Sequence, residues 1–213
     1  MTRADAGSGR VPAAGGRPGV GSGSDSPLPS PDSPNPSSGS RLAVVLDDLA
    51  FFTGDAIARP VTAQLGATTP LGRRLELAAL EGERGAKLAA QLRVAEPLAV
   101  GSAVVTGAGA LGVELLLHAV VSSVTERATR ETVARATASA LQRAAAFEVR
   151  HLALAPFGLG AGNLDPDDSA AAMLDAVGRH LARAPHPARI SIVVETEDEH
   201  RAFAARLSLV EGG

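Results

Sequence analysis

The chain contains no cysteine, no tryptophan and no tyrosine, and aromatic residues make up only 2% of its 213 positions. Without cysteine there is no disulfide, no thiolate nucleophile and no zinc–thiolate site. Without aromatic platforms a single-stranded nucleic acid has little to stack on. Lysine is almost absent too: Lys87 is the only one, and arginine carries the remaining positive charge. The net charge is −3 with both signs interspersed, so the basic stripe of a nucleic-acid binder is missing. No apolar run reaches the ~18 residues of a membrane helix. The N-terminus has no hydrophobic stretch of the signal-peptide kind. These absences predict a cytoplasmic protein with neither nucleic acid nor membrane as a partner.

Hydrophobic residues make up 45% of the chain, enough for a core built from Leu, Val, Ala and Ile with five Phe. The length suits one domain and a tail, since domains run roughly 100–150 residues. Half of the 14 prolines fall before residue 40. Residues 1–40 are Gly, Ser and Pro with almost no large apolar side chain, and cannot bury enough surface to offset their ordering entropy. The sequence therefore predicts a disordered tail over 1–40 and a folded domain over 41–213. Ser26-Pro27, Ser30-Pro31 and Ser33-Pro34 fit either proline-directed phosphorylation sites or a plain linker.

Within the domain, strand and helix patterns alternate. Leu42-Ala-Val-Val-Leu46 reads as a buried strand, followed by Asp47-Asp48-Leu49. Residues 56–62 read as a second, shorter strand, with Pro60 arguing for an edge position or an early end. Residues 71–80 and 83–93 have helical spacing, separated by Gly82 and Gly85. Residues 103–106 form a short strand, 114–121 a buried strand, 129–148 an Ala-rich helix and 151–155 a strand ending at Pro156. Asp165 as cap, Pro166 at the first helical position and Asp167-Asp168 at the positive pole mark a helix start. That helix should end near Ala184, before Pro185 and Pro187. A strand follows over 189–195. Thr196 and Glu199 make a capping box for a last helix to about Leu207. The alternation predicts an α/β fold, three-layer α/β/α with a mixed, mostly parallel sheet.

The sharpest local feature is Gly158-Leu159-Gly160-Ala161-Gly162-Asn163, between a strand and a capped helix. Glycines let backbone N–H groups approach an anion without Cβ obstruction, making a nest for phosphate. A flexible strand-to-helix loop is the other reading. Asp165, Asp167 and Asp168 would repel a phosphate at the helix end itself, so the loop amides are the better donors. Gly107-Ala-Gly109-Ala-Leu-Gly112 matches the GxGxxG fingerprint as written, with Glu126 where a ribose-binding acid belongs. It leaves barely two turns for the required helix, so a Rossmann-type NAD(P) site ranks second. Asp47-Asp48 lies at the end of the first strand, where open α/β sheets bind ligands; a solvated turn or cap is the alternative. The five histidines show no metal-ligand spacing, and no metal or cofactor is expected. His118, inside an apolar strand, reads as a hydrogen-bonded core residue. There is no GxSxG elbow and no Walker A motif.

Taken together, these segments resemble a macro domain, the ADP-ribose-binding α/β/α module. Gly101-Ser-Ala-Val-Val-Thr106, then Gly109, Leu111 and Leu116-Leu-His118-Ala-Val120, looks like the family stretch in which a G-x-A-x-x-T strand leads to one ending near "IHxV". His151-Leu-Ala-Leu-Ala-Pro156-Phe-Gly158-Leu-Gly160 is similar to the family's "IAFPALGTG", one residue shorter. Asp48-Leu49 matches the "GDI" acid, and Asp55-Ala-Ile57 looks like the start of "DAIVNAAN". The resemblance spans 42 to about 207. It implies that Asp48 and Leu49 meet adenine, and that Gly158, Leu159, Gly160, Ala161, Gly162 and Asn163 hold the diphosphate and distal ribose. Where the family has Asn-Ala-Ala-Asn, this chain has Arg59-Pro60-Val61-Thr62, so the asparagine of hydrolytic members is absent. The loop "GGGVDGAI" is replaced by Thr68-Thr-Pro70-Leu-Gly72-Arg73-Arg74, and Glu195-Thr196 stand where an aromatic often stacks on adenine. The expectation is a binding module for ADP-ribose or a related nucleotide, or for an ADP-ribosylated protein, without efficient hydrolysis. The alternatives are a divergent hydrolase using Asp55 or His118, and a macro-like fold that has lost its ligand and serves protein interaction.

Overall fold

The computed structural model describes residues 40–93 and 96–211. Residues 1–39 of the predicted tail lie outside the described residues. The described strands are β1 (Leu42–Leu46), β2 (Ala56–Thr62), β3 (Ala103–Gly107), β4 (Leu115–Ser122), β5 (His151–Leu154) and β6 (Arg189–Val194). The described helices are α1 (Pro70–Ala79), α2 (Gly82–Gln91), α3 (Arg130–Ala146), α4 (Pro166–Leu181) and α5 (Glu197–Glu211). The strands form one six-stranded sheet in the order β1-β6-β5-β2-β4-β3. Every neighbouring pair is parallel except β3–β4. This is the mixed, mostly parallel sheet that the alternation predicts.

The two faces of the sheet bury separate cores, because successive strand side chains point to opposite sides. Ala56 and Ala58 of β2 join Val133, Ala140, Met173 and Phe203 from α3, α4 and α5. Ile57, between them, joins Leu71, Leu75 and Leu88 from α1 and α2. In α3, Ala136, Ala140 and Ala144 recur every fourth residue and are fully buried, so small side chains line the stripe facing the sheet. Thr129 caps α3 by accepting from the Thr132 N–H at 3.1 Å, and Asp165 caps α4 by accepting from Asp168 N–H at 2.7 Å. At the open edge of β3, Gln91 Oε1 accepts from Gly107 N–H and Arg143 Nε donates to the Ala103 carbonyl, both at 3.2 Å. Side chains thereby occupy edge groups that would otherwise template another strand. No described helix is long and apolar enough to cross a membrane.

Three expectations are corrected. Pro60 does not put β2 at an edge: β2 is central, between β5 and β4. The Ala155 N–H donates to the Ala58 carbonyl at 3.0 Å, so even-numbered residues of β2 turn their backbone toward β5. Pairing with β5 stops at Ala58, and Pro60 has no β5 partner left to lack a hydrogen bond with. Gly85 does not separate two helices but lies within α2, where a Cβ would sit 2.0 Å from the Leu80 carbonyl carbon. The capping box before α5 is displaced: Thr196 Oγ1 accepts from Glu199 N–H at 3.2 Å, but Glu199 reaches back to the Glu195 N–H at 3.0 Å.

The GxGxxG segment carries no helix at all. The chain passes from β3 to β4 through a loop, and β4 begins at Leu115. A dinucleotide fingerprint needs strand, helix and strand, so the Rossmann reading is excluded. Gly109 is there for packing. Its φ is +63°, and a Cβ would stand 2.0 Å from the Ala79 carbonyl oxygen at the end of α1. The Ala110 N–H donates to that same oxygen at 2.9 Å.

The α1-facing core contains two buried polar side chains. Arg59 and His118 are both fully buried, on adjacent strands and in register. Arg59 Nε donates to His118 Nδ1 at 3.1 Å, and an Arg guanidinium is always a donor, so Nδ1 must be bare. The ring proton then sits on Nε2, 2.8 Å from Thr106 Oγ1. Arg59 also pairs with Glu76 Oε2 at 2.8 Å and reaches the carbonyls of Gly72 at 3.5 Å and Leu65 at 3.4 Å. Burial, and then the Arg59 charge, push His118 down to about 3.

Two outcomes follow from this packing. Gly109→Ala should destabilise the fold by about 2–4 kcal/mol, since it adds both left-handed strain and a clash; denaturant melts unchanged from wild type would refute the packing role. His118 stays neutral in the fold but takes a proton near 6.5 once unfolded. Its contribution is therefore complete above pH 6.5 and is lost as pH falls toward 3. His118→Gln keeps an acceptor and a donor without titrating. Between pH 6.5 and 4.5 the wild type should lose stability faster than this variant, by up to about 1.4 kcal/mol per pH unit for one proton. Parallel curves in urea melts across that range would contradict the assignment.

Candidate functional site

Open α/β sheets bind ligands beyond the C-terminal ends of their strands, where neighbouring connections leave toward opposite faces. β2 and β5 are such neighbours. After β2 the chain enters α1 on one face, and after β5 it enters α4 on the other. A cleft of about 240 Å³ lies there, lined by Thr69, Pro70, Leu71, Pro156, Leu159, Gly160, Glu195, Thr196 and Glu199. Three connections thus contribute: the lead into α1, the loop after β5 and the end of β6.

The 158–163 loop is held in shape from several sides. Leu164 N–H donates to the Gly158 carbonyl at 3.0 Å, and Asn163 N–H to the Gly160 carbonyl at 3.1 Å. Ala161 N–H donates to the Thr68 carbonyl at 3.2 Å, tying the loop to the segment that leads into α1. Gly160 has a φ of +63° and packs so near Thr68 and Thr69 that a Cβ would meet the Thr68 oxygen at 3.1 Å. The amides of Leu159 and Gly160, by contrast, have no hydrogen-bond partner among the described residues. Two unspent donors therefore line the cleft. That is the chemistry of an anion nest.

The other sequence-predicted residues are spread around this point. Gly158 is buried behind the loop, and Ala161 belongs to an adjoining arm of the cleft with Thr68, Thr69, Arg73 and Arg74. Gly162 completes the short turn that starts at Gly160, and Asn163 is exposed with its side-chain amide donating to the Ala161 carbonyl at 3.1 Å. Asp48 does not line the cleft. It caps the turn after β1, Oδ1 accepting from Ala50 N–H at 2.9 Å. Arg74 is ion-paired with Glu195 at the end of β6, and Glu195 first, with Asp48 adding less, raises its pKa above the usual guanidinium value. Leu49 is fully buried in the α1-facing core, leaving only its backbone for any ligand.

The residues considered as hydrolytic substitutes sit elsewhere. Asp55 stands at the N-terminal end of β2, the opposite edge of the sheet from the cleft. Its carboxylate accepts from His151 N–H at 2.9 Å and Arg150 N–H at 2.7 Å, and the first of these chiefly holds it below the usual carboxylate range. His118 is locked between Arg59 and Thr106. Sequence reasoning missed the role of Arg59; a lone Arg in the apolar strand 56–61 was the available signal. It also missed Glu199, whose carboxylate closes the end of the cleft on the Glu195 N–H.

Residues 77–173 match the family model described as Macro domain. An uncharacterized protein of Mycobacterium tuberculosis (strain H37Rv) is 32% identical over 134 residues, covering 63% of this chain and 37% of that protein. A protein of Mycobacterium bovis matches to the same extent, 32% over 134 residues. This chain thus spans little more than a third of the curated relatives it matches. Among solved structures, a variant of the Oceanobacillus iheyensis macrodomain with ADPR has a TM-score of 0.69 at 16% identity, covering 81% of this chain and 94% of that one. The Trypanosoma brucei macrodomain in complex with ADP-ribose has a TM-score of 0.68 at 15% identity, covering 78% of this chain and 69% of that one. The described domain has the macrodomain fold, and its stretch from 77 to 173 matches the Macro domain family model.

Proposed function

We propose that the cleft binds ADP-ribose or a related nucleotide, with the diphosphate on the 158–163 loop. The observation that carries this reading is the pair of unspent amides, Leu159 and Gly160, lining a cleft at the switch point between β2 and β5. It is supported by structural neighbours, the Oceanobacillus iheyensis macrodomain with ADP and the Trypanosoma brucei macrodomain in complex with ADP-ribose. Asp48 is the proposed adenine-side acceptor. It lies outside the cleft wall, and Oδ1 is held by the Ala50 N–H, which leaves Oδ2 as the acceptor. An ADP-ribosylated protein would present the same chemistry, and a cytoplasmic location goes with it.

Binding without efficient hydrolysis remains the favoured form of this proposal. Thr62 stands where hydrolytic members have asparagine, and Asp55 and His118 are both committed to structural partners. Glu195 is ion-paired with Arg74 and Glu199 bonds the backbone, so neither carboxylate is idle.

Isothermal calorimetry with ADP-ribose tests the proposal. Heat that saturates is the expected result, and silence at millimolar ligand with folded protein would sink it. Gly160→Glu fills the nest with a side chain of the wrong charge and should abolish binding. Unchanged affinity in that variant, folded by circular dichroism, would move the site away from this loop.

A further inference from the structure

Thr69 and Pro70 line both the cleft at Gly160 and an adjoining arm of about 440 Å³ that contains Thr68, Arg73, Arg74 and Ala161. The polar groups of this second arm are unevenly free. Thr69 Oγ1 accepts from Gly72 N–H at 3.0 Å, and Thr68 Oγ1 donates to the Pro60 carbonyl at 3.5 Å. The Thr68 carbonyl already accepts from Ala161. Arg74 is drawn away by Glu195. The Arg73 guanidinium is exposed and has no hydrogen bond or ion pair among the described residues. No carboxylate lines this arm.

We propose that this arm is an anion subsite in which Arg73 sets the class of ligand, so that the group lying beyond Gly160 is a terminal phosphate rather than a neutral sugar. The argument is one of matching donors to acceptors. A sugar hydroxyl both gives and takes hydrogen bonds, so it needs acceptors in its pocket. Here the acceptors are few and already engaged once, no carboxylate is present, and the main spare capacity is a planar cationic fork. A phosphate offers only acceptor oxygens and negative charge, which Arg binds with two charge-assisted hydrogen bonds. With the Leu159 and Gly160 amides in the first arm, the two arms suit consecutive phosphates. The ligand class is then a nucleoside polyphosphate. This inference rests on the reading that the 158–163 loop holds a nucleotide's phosphates.

The test is calorimetry on the full chain, with EDTA present, using ADP, ATP and ADP-ribose as the three probes. Wild type should bind ATP about tenfold more tightly than ADP and more tightly than ADP-ribose, the gain expected of one charge-assisted contact. Arg73→Gln should erase the ATP gain and leave ADP within about twofold. Arg179→Gln, an exposed arginine on α4 that lines neither arm, should leave the ratio of ATP to ADP unchanged. Equal weakening of ADP and ATP by Arg73→Gln overturns the subsite, as does loss of the gain in Arg179→Gln. If ADP-ribose binds, depends on Gly160 and outcompetes ATP, the subsite fails while the nucleotide reading stands. No heat from any of the three removes both.

Discussion

A guanidinium that cannot lose its proton is buried at the centre of this sheet, and the surrounding chain is arranged to answer it. Arg59 is fully buried, and an unpaired charge there would be untenable. Its partners come from several sides: Glu76 and the Gly72 carbonyl on α1, His118 on β4, and the Leu65 carbonyl from the turn after β2. Leu65 takes a φ of 65°, a left-handed conformation uncommon for a non-glycine residue, with its carbonyl on the guanidinium. The turn between Thr62 and Ala67 and the position of α1 are thus fixed from within. Since Thr68, Thr69 and Pro70 follow directly, one wall of the cleft is set by a residue that never touches solvent.

The cleft has a second, topological origin. The connections after β2 and β5 diverge to opposite faces, which opens a crevice whatever residues fill it. Sequence then decides its chemistry. The loop after β5 supplies backbone donors, the start of α1 supplies two arginines, and the end of β6 and the start of α5 supply one glutamate each. The Arg74–Glu195 pair joins the acidic and basic sides at the surface, where such a pair adds little stability. Its effect is to remove one cation from the cleft and leave the other available.

Much of this architecture was legible, and what was not has a common cause. The start of α4 was readable because Asp165, Pro166 and Asp168 act on one another within four residues. His118 was readable as a core residue because its neighbours in sequence are apolar. The central place of β2 was not readable, because Pro60 is a local signal while the end of β5 pairing, which makes it harmless, lies 94 residues further on. Arg59 was opaque for the same reason: His118 is 59 residues away and Glu76 is 17. The GxGxxG segment misled in the opposite direction, its glycines serving contact with α1. The family match likewise begins at residue 77, inside α1, after Arg59 and its ion-pair partner Glu76.

The buried cation beneath the cleft wall acts on the protein rather than on anything in the cleft: Arg59 binds Glu76 of α1 and His118 of β4, and so fixes the wall against both. The Ala161–Thr68 hydrogen bond then fastens the glycine loop to this wall, so the two donor-bearing sides of the cleft are held in one rigid relation. The entropy of ordering them is met during folding rather than at binding, which favours recognition by shape and charge. A cleft organised this way presents the two free amides of Leu159 and Gly160 in a pre-set arrangement.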